Sequence, residues 1–508
     1  MKKLPLSSFE VYVVKLLISV FSLIFIVLFF YTSLSRIAYP YALEWVEANT
    51  FVHTLRVVHR QSLYVPPSYE FTPTIYPPLY YYFSSFYPAN IMLSMRTVSF
   101  FSTIAILLMI YKIARSRKLD PVFSFGAVGL FSASYSMTGF WFDIARVDML
   151  FLAFVAGVYT ISVCDKLDST IAGFWAGFLN FLAFATKQNA LAAVPFISLY
   201  FLIKRQYKRL IAFICSFVIF VVFFVFYMNW RSNGWFWFYI YDVPINNPIS
   251  WRFVYATFWT EFLLPRFWGL IVLCLLSIFF FNFRALNFFI AIAVPLFLMS
   301  IIPMARQWGW INNLVPASFC LSILGMESFQ HVFSQRSERG GTILQTGMFY
   351  IAFILLIVQF INLLYAPRLQ IPVKKDYRFG EKIVATVAKS EPPVFIPTAP
   401  YFLRYSNLPT HVQTASLGDL YLASKNDPQI AEKVEPYLQK INRYVEGGII
   451  QTAIIPSGSS YALIFSSENG YKCRKIFPRG QSFRTITGAI STLDRVCHKV
   501  KLGNYGNR

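Results

Sequence analysis

Charge is what this chain has least of. Only 13% of its 508 residues are Asp, Glu, Lys or Arg, about half the share of a soluble globular protein. That shortage excludes an ordinary soluble enzyme and a disordered chain. Acidic residues are the scarcer kind, 23 against 45 Lys and Arg, for a net charge of +22. Six cysteines are too few for a disulfide scaffold of this length. The sequence has no repeat of 20–50 residues and no low-complexity segment. What is present is apolar: 56% hydrophobic residues, with 55 Phe and 31 Tyr. The fold class implied is a polytopic α-helical membrane protein, with the lipid bilayer as its first partner. The basic excess then belongs to cytoplasmic loops and anionic lipid. No basic run accompanies a recognition module, so nucleic acid is not an expected partner.

The first apolar run, 16–31, follows Met1-Lys2-Lys3 and has no small-residue cleavage site after it. It reads as a retained anchor with a cytoplasmic N-terminus. Further apolar runs lie near 89–111, 121–140, 149–164, 170–186, 190–203, 210–228, 265–281, 287–303, 313–326 and 345–365, about eleven spans in all. Threading them from inside puts the basic clusters 112–118 and 204–209 in the cytoplasm. Residues 32–88, 141–148, 186–190, 229–264, 304–312 and everything after 366 then face outward. This divides the chain into a multi-span membrane domain, 1–366, and an extracytoplasmic α/β domain, 367–508. In the tail, 394–396, 453–455 and 463–465 read as short strands, and 428–445 as an amphipathic helix. Cys473 and Cys497 are its only cysteines, and an oxidising compartment permits them to pair.

Ionisable residues at a membrane boundary are costly to bury and so informative. Here they collect on the outer side. Glu44 lies among apolar and aromatic residues that would raise its pKa, or it is an ordinary loop glutamate. Glu47, one turn later, reads as a helix-surface charge. Tyr76-Pro77-Pro78-Leu79-Tyr80 suits the start of an interfacial helix, as an aromatic belt or as a groove for lipid or acceptor. In the second outer loop, Asp143, Arg146 and Asp148 fall within six residues, as a structural ion pair or as functional charge. Lys187 ends an apolar helix, where it could snorkel, and Arg306 repeats the pattern. One isolated carboxylate among several cations suits sugar transfer from a lipid-linked phosphate to a hydroxyl. The departing phosphate needs positive charge, and the attacking hydroxyl needs one base. A glycosidase would instead need two opposed carboxylates.

The order Glu44, Leu63-Tyr64, Tyr76-Pro77-Pro78-Leu79-Tyr80 also resembles the first outer loop of the GT-C membrane glycosyltransferases, in the group of the protein O-mannosyltransferases and the lipid A aminoarabinose transferase. Arg146-Val147-Asp148, Thr186-Lys187-Gln188 and Gly309 with Asn312-Asn313 match habits of its bacterial members. The resemblance implies a bacterial inner-membrane enzyme with a polyprenyl-phosphate sugar donor and inverting transfer. Glu44 would be the general base, and Arg146, Lys187 and Arg306 would hold the donor phosphate. It also implies a candidate divalent cation between the first two outer loops, at Glu44 with Asp143 or Asp148; otherwise Asp148 would orient Arg146. The acceptor class stays open among glycan, lipid and protein. Two rival readings are a transporter or flippase of lipid-linked sugars and a glycan polymerase or ligase. The first would place charge at mid-membrane in duplicated halves.

Overall fold

The computed structural model describes residues 6–163, 167–252, 255, 259–260, 267–278, 283–339 and 343–500. Eleven helices stand where the apolar runs predict spans: α1 (Ser8–Arg36), α4 (Ile91–Ser116), α5 (Pro121–Ala133), α6 (Asp148–Ser162), α7 (Ser169–Thr186), α8 (Ala193–Ile203), α9 (Tyr207–Arg231), α10 (Trp268–Ile278), α11 (Phe283–Ala305), α12 (Val315–Arg339) and α13 (Ile343–Asn362). Between α1 and α4 lie two shorter helices, α2 (Glu47–Val58) and α3 (Leu79–Ser84). Among the described residues six helices are long and apolar enough to cross a membrane by themselves. α1, with 29 residues, extends about 43 Å, more than the ~30 Å hydrocarbon core. Its Leu23, Val27 and Tyr31 are exposed while Ile18, Phe25 and Phe29 are buried. An apolar helix exposed on one face and packed on the other is solvated by lipid. α7 and α9 cross so closely that a Cβ on Gly177 would collide with the Phe213 carbonyl. The 265–281 run is described only over α10, and α5 ends seven residues before its predicted span, where 134–147 turns into the second loop.

The helix ends sort into two faces. One holds the ion pairs Lys15–Asp120 and Arg117–Glu327 and the Tyr350–Glu10 hydrogen bond. Arg117 puts the 112–118 cluster on this face. The opposite face holds the C-terminal ends of α1 and α7, the N-terminus of α6 and the chain leaving α13. There Arg36 donates to Asp143 and to the Gln370 carbonyl, and Lys187 to Asp148.

Residues 367–500 cover that second face. They contain α14 (Lys374–Ala388), α15 (Thr414–Asn426) and α16 (Pro428–Glu446). Strands β1 (Val394–Phe395), β2 (Thr452–Ile455), β3 (Tyr471–Lys475) and β6 (Arg495–Lys499) form a sheet in the order β1-β2-β6-β3. β1 and β2 are parallel; the other pairs are antiparallel. β4 (Phe483–Arg484) and β5 (Thr492–Leu493) make a separate ladder. Cys473 and Cys497 are directly opposite on β3 and β6 and form a disulfide. The helix expected at 428–445 is α16, capped by Asp427, with Ile430, Val434, Ile441 and Val445 buried. The strand expected at 463–465 is instead a helical turn, Tyr461–Ile464. Leu463 is exposed there while Phe465 packs on Phe395 and Tyr471; a three-residue apolar run has no period to tell the two apart.

Candidate active site

Two fully buried arginines fix the loops of this face. Arg36, the last residue of α1, holds Asp143 with two bonds of 2.7 and 2.6 Å, and the Tyr135 hydroxyl donates to the same carboxylate at 2.5 Å. Arg96 on α4 donates to Glu47 at 3.1 and 2.7 Å, and to the carbonyls of Tyr39 and Tyr41 at 2.5 and 2.6 Å. Glu47 in turn accepts the N–H groups of Leu43 (2.7 Å) and Ala145 (2.6 Å). It is therefore no helix-surface charge. Buried and using both oxygens twice, it staples the first outer loop to the second. Asp143 is likewise committed to Arg36 and Tyr135.

Between these anchors stands Glu44, also fully buried. Its Oε2 accepts the Val46 N–H at 2.9 Å, and its Oε1 has no partner. Burial pushes its carboxyl up to about 8, against the opposing pull of the Arg146 guanidinium. Arg146 is half-buried, its Nε has no partner, and it lies 5.5 Å from the Trp141 ring and 6.0 Å from the Tyr76 ring. Lys187 is buried rather than snorkelling. Its Nζ donates to Asp148 at 2.8 Å and Asn313 at 3.2 Å, 5.7 Å from the centre of the same Tyr76 ring. Asp148 also accepts the Trp141 indole N–H at 2.9 Å. The Tyr76 backbone is held by Tyr64, whose hydroxyl donates to its carbonyl at 2.8 Å, and by Gln188, which donates to the Ile75 carbonyl at 2.9 Å. One half-buried tyrosine thus lies against two cations, and the carboxylate with the free oxygen feels the charge of one of them.

Three expected site residues fall elsewhere. Arg306 donates to the carbonyls of Ile245 (3.0 Å) and Asn247 (2.6 Å), so it braces the 243–250 segment rather than joining Arg146 and Lys187. Tyr80 is fully buried with its hydroxyl on the Met95 carbonyl and Ser99, which makes it a core residue and not a groove. Asp143 is consumed as described. The candidate cation fares no better: both oxygens of Asp143 and of Asp148 already accept from protein donors. Among the described residues no three of His, Cys, Asp or Glu converge. The sequence reading missed Trp141 as the partner of Asp148. It also missed Asp419, half-buried on α15, whose carboxyl burial pushes up to about 7 against the pull of Arg146. Neither carries a local signal, because each is recruited from a segment that reads as ordinary loop or helix.

No family model and no curated protein matches the chain. Solved structures do. ArnT from Cupriavidus metallidurans bound to undecaprenyl phosphate superposes with a TM-score of 0.59 at 11% identity, covering 96% of this chain and 99% of that one. The apo state of the same protein gives 0.59 and 11%, with coverage of 99% and 100%. The likeness extends over membrane helices and C-terminal region together. By its fold, the chain is a multi-pass helical membrane protein with the architecture of ArnT.

Proposed function

We propose that the chain is an integral-membrane glycosyltransferase that moves a sugar from a polyprenyl-phosphate donor to a hydroxyl of an envelope acceptor. The observation that carries the reading is the unpartnered Glu44 Oε1, on a carboxylate under the electrostatic pull of the incompletely bonded Arg146, which shares the Tyr76 ring with Lys187. The fold it sits on is one that binds undecaprenyl phosphate in ArnT. Glu44 accepts the proton of the attacking hydroxyl as its oxygen bonds to the anomeric carbon. The bond from that carbon to the phosphate oxygen breaks, and the lipid phosphate leaves as an anion. Single displacement inverts the anomeric centre. Arg146 and Lys187 stabilise the charge that grows on the departing phosphate. Asp148, bonded to Lys187, fixes where that ammonium points. Residues 1–366 form the catalytic membrane domain. Residues 367–508 form an extracytoplasmic α/β domain at the outer face of a bacterial inner membrane, with the N-terminus cytoplasmic. Burial of the charges at one face, rather than at mid-membrane, favours this reading over a transporter.

The test is Glu44→Gln, which keeps the shape but cannot accept the proton. Release of undecaprenyl phosphate from a panel of undecaprenyl-phosphate-linked hexoses and pentoses, with an envelope lipid extract as acceptor, should fall on the order of 10²–10⁴-fold. Donor binding should change little. Undiminished transfer would remove Glu44 as the base.

A further inference from the structure

The C-terminal region meets Glu44 at a single turn. Residues 485–491 join β4 to β5 and read Thr-Ile-Thr-Gly-Ala-Ile-Ser, without an ionisable group. The N–H groups of Ile486 and Thr487 both donate to the Leu43 carbonyl, at 2.8 and 2.9 Å. The Trp45 N–H donates to the Ala489 carbonyl at 3.3 Å, so backbone bonds bracket Glu44 on both sides. The Thr487 hydroxyl reaches the second outer loop, donating to the Gly139 carbonyl at 3.2 Å. At the apex, Gly488 has φ +61°, and a Cβ there would lie 2.7 Å from Glu44 Cγ and 2.8 Å from Trp141 Cζ3. Both the left-handed backbone and the lack of space call for glycine.

We infer that the 485–491 turn is a positioning element for Glu44, with Gly488 allowing its backbone to press on the carboxylate's own side chain and hold it dry and in one orientation. This rests on the reading of Glu44 as base. The charged groups facing Glu44 are Arg146 from the second outer loop and Glu47 from its own segment; Asp148 and Asp419 act on Arg146. The turn adds none. It therefore removes water without supplying a counter-charge, which raises the proton affinity of the carboxylate toward the working pH. The membrane domain holds the base, and the C-terminal region sets its strength and aim.

The decisive comparison is Gly488→Ala against Gly480→Ala in the full chain in lipid nanodiscs. Gly480 has φ +77° with nothing within 4 Å of a Cβ, so it carries the same backbone strain without the contact. The Glu44 carboxyl is followed by infrared difference titration, assigned by its loss in Glu44→Gln. The wild type and Gly480→Ala should titrate near pH 8, and Gly488→Ala lower by about one unit or more as water enters. With the donor panel above, Gly488→Ala should lose on the order of 10²-fold in kcat while KM moves less than about twofold. If Gly488→Ala does not accumulate, Thr487→Val removes only the tether to Gly139 and should move both readouts the same way by less. A midpoint and kcat unchanged from Gly480→Ala, or from the wild type for Thr487→Val, would overturn the inference. Normal transfer in Glu44→Gln would instead overturn the base reading, and with it the catalytic half; the titration is read separately.

Discussion

Glu47→Gln separates anchoring from catalysis. In the wild type Oε1 accepts from Arg96 Nε and the Ala145 N–H, and Oε2 from Arg96 Nη2 and the Leu43 N–H. A glutamine keeps one oxygen. Whichever way its amide is turned, the NH₂ group faces two donors, so two of four bonds are lost and Arg96 remains charged and fully buried without a compensating anion. Breaking a buried pair from one side costs about 3–5 kcal/mol, and two charge-assisted bonds at about 1.5–3 kcal/mol each give the same range. The folding equilibrium should shift by at least on the order of 10²-fold. The measurement is denaturant unfolding in micelles followed by tryptophan fluorescence. The exposed Glu435→Gln is the reference and should leave the midpoint in place. Transfer should also fall well below the unfolding range, because the 37–46 segment that carries Glu44 loses its tie to the second loop. A Glu47→Gln midpoint equal to that of Glu435→Gln would refute the anchoring argument.

Glu44→Gln should be more stable than the wild type at pH 8–9 while transferring less. A carboxyl raised from 4.5 to about 8 on folding stabilises the fold fully below pH ~4.5, and that contribution disappears as pH rises to about 8; at roughly 1.4 kcal/mol per unit the difference is about 3–5 kcal/mol. Equal stability of the two at pH 9 would contradict the burial of Glu44. The same shift predicts that wild-type transfer rises as pH climbs through about 8, since only the deprotonated base acts; a flat profile from pH 6 to 9 would contradict it. Arg146→Ala and Lys187→Ala should lower kcat/KM for the donor on the order of 10-fold or more, whereas Arg306→Ala should leave it unchanged, a contrast read by donor titration. Reporter fusions should place 112–118 and 204–209 in the cytoplasm and 380–500 outside; a cytoplasmic tail would remove the compartment that the mechanism requires.

Much of the architecture was legible in the chain because the bilayer imposes a one-dimensional rule. A helix long enough to span must be apolar along its length, so the spans show as runs and the basic clusters as their ends. The amphipathic period of α16 and the isolation of Glu44 among aromatics are local in the same sense. Partner assignment is not local. Glu44 and Glu47 stand three residues apart in similar surroundings, yet one is left with a free oxygen and the other is consumed, because Arg96 on α4 reaches only the second. Asp143 and Asp148 diverge likewise, one taken by Arg36 from α1 and one by Lys187 from α7. Arg306 has the sequence setting of Lys187 but meets backbone carbonyls instead of a carboxylate. Gly488 reads as an ordinary turn glycine until the tail folds back onto Glu44. Hydropathy is summed along the chain and survives without the fold; the pairing of buried charges depends on which helix ends are neighbours, and only tertiary packing decides that.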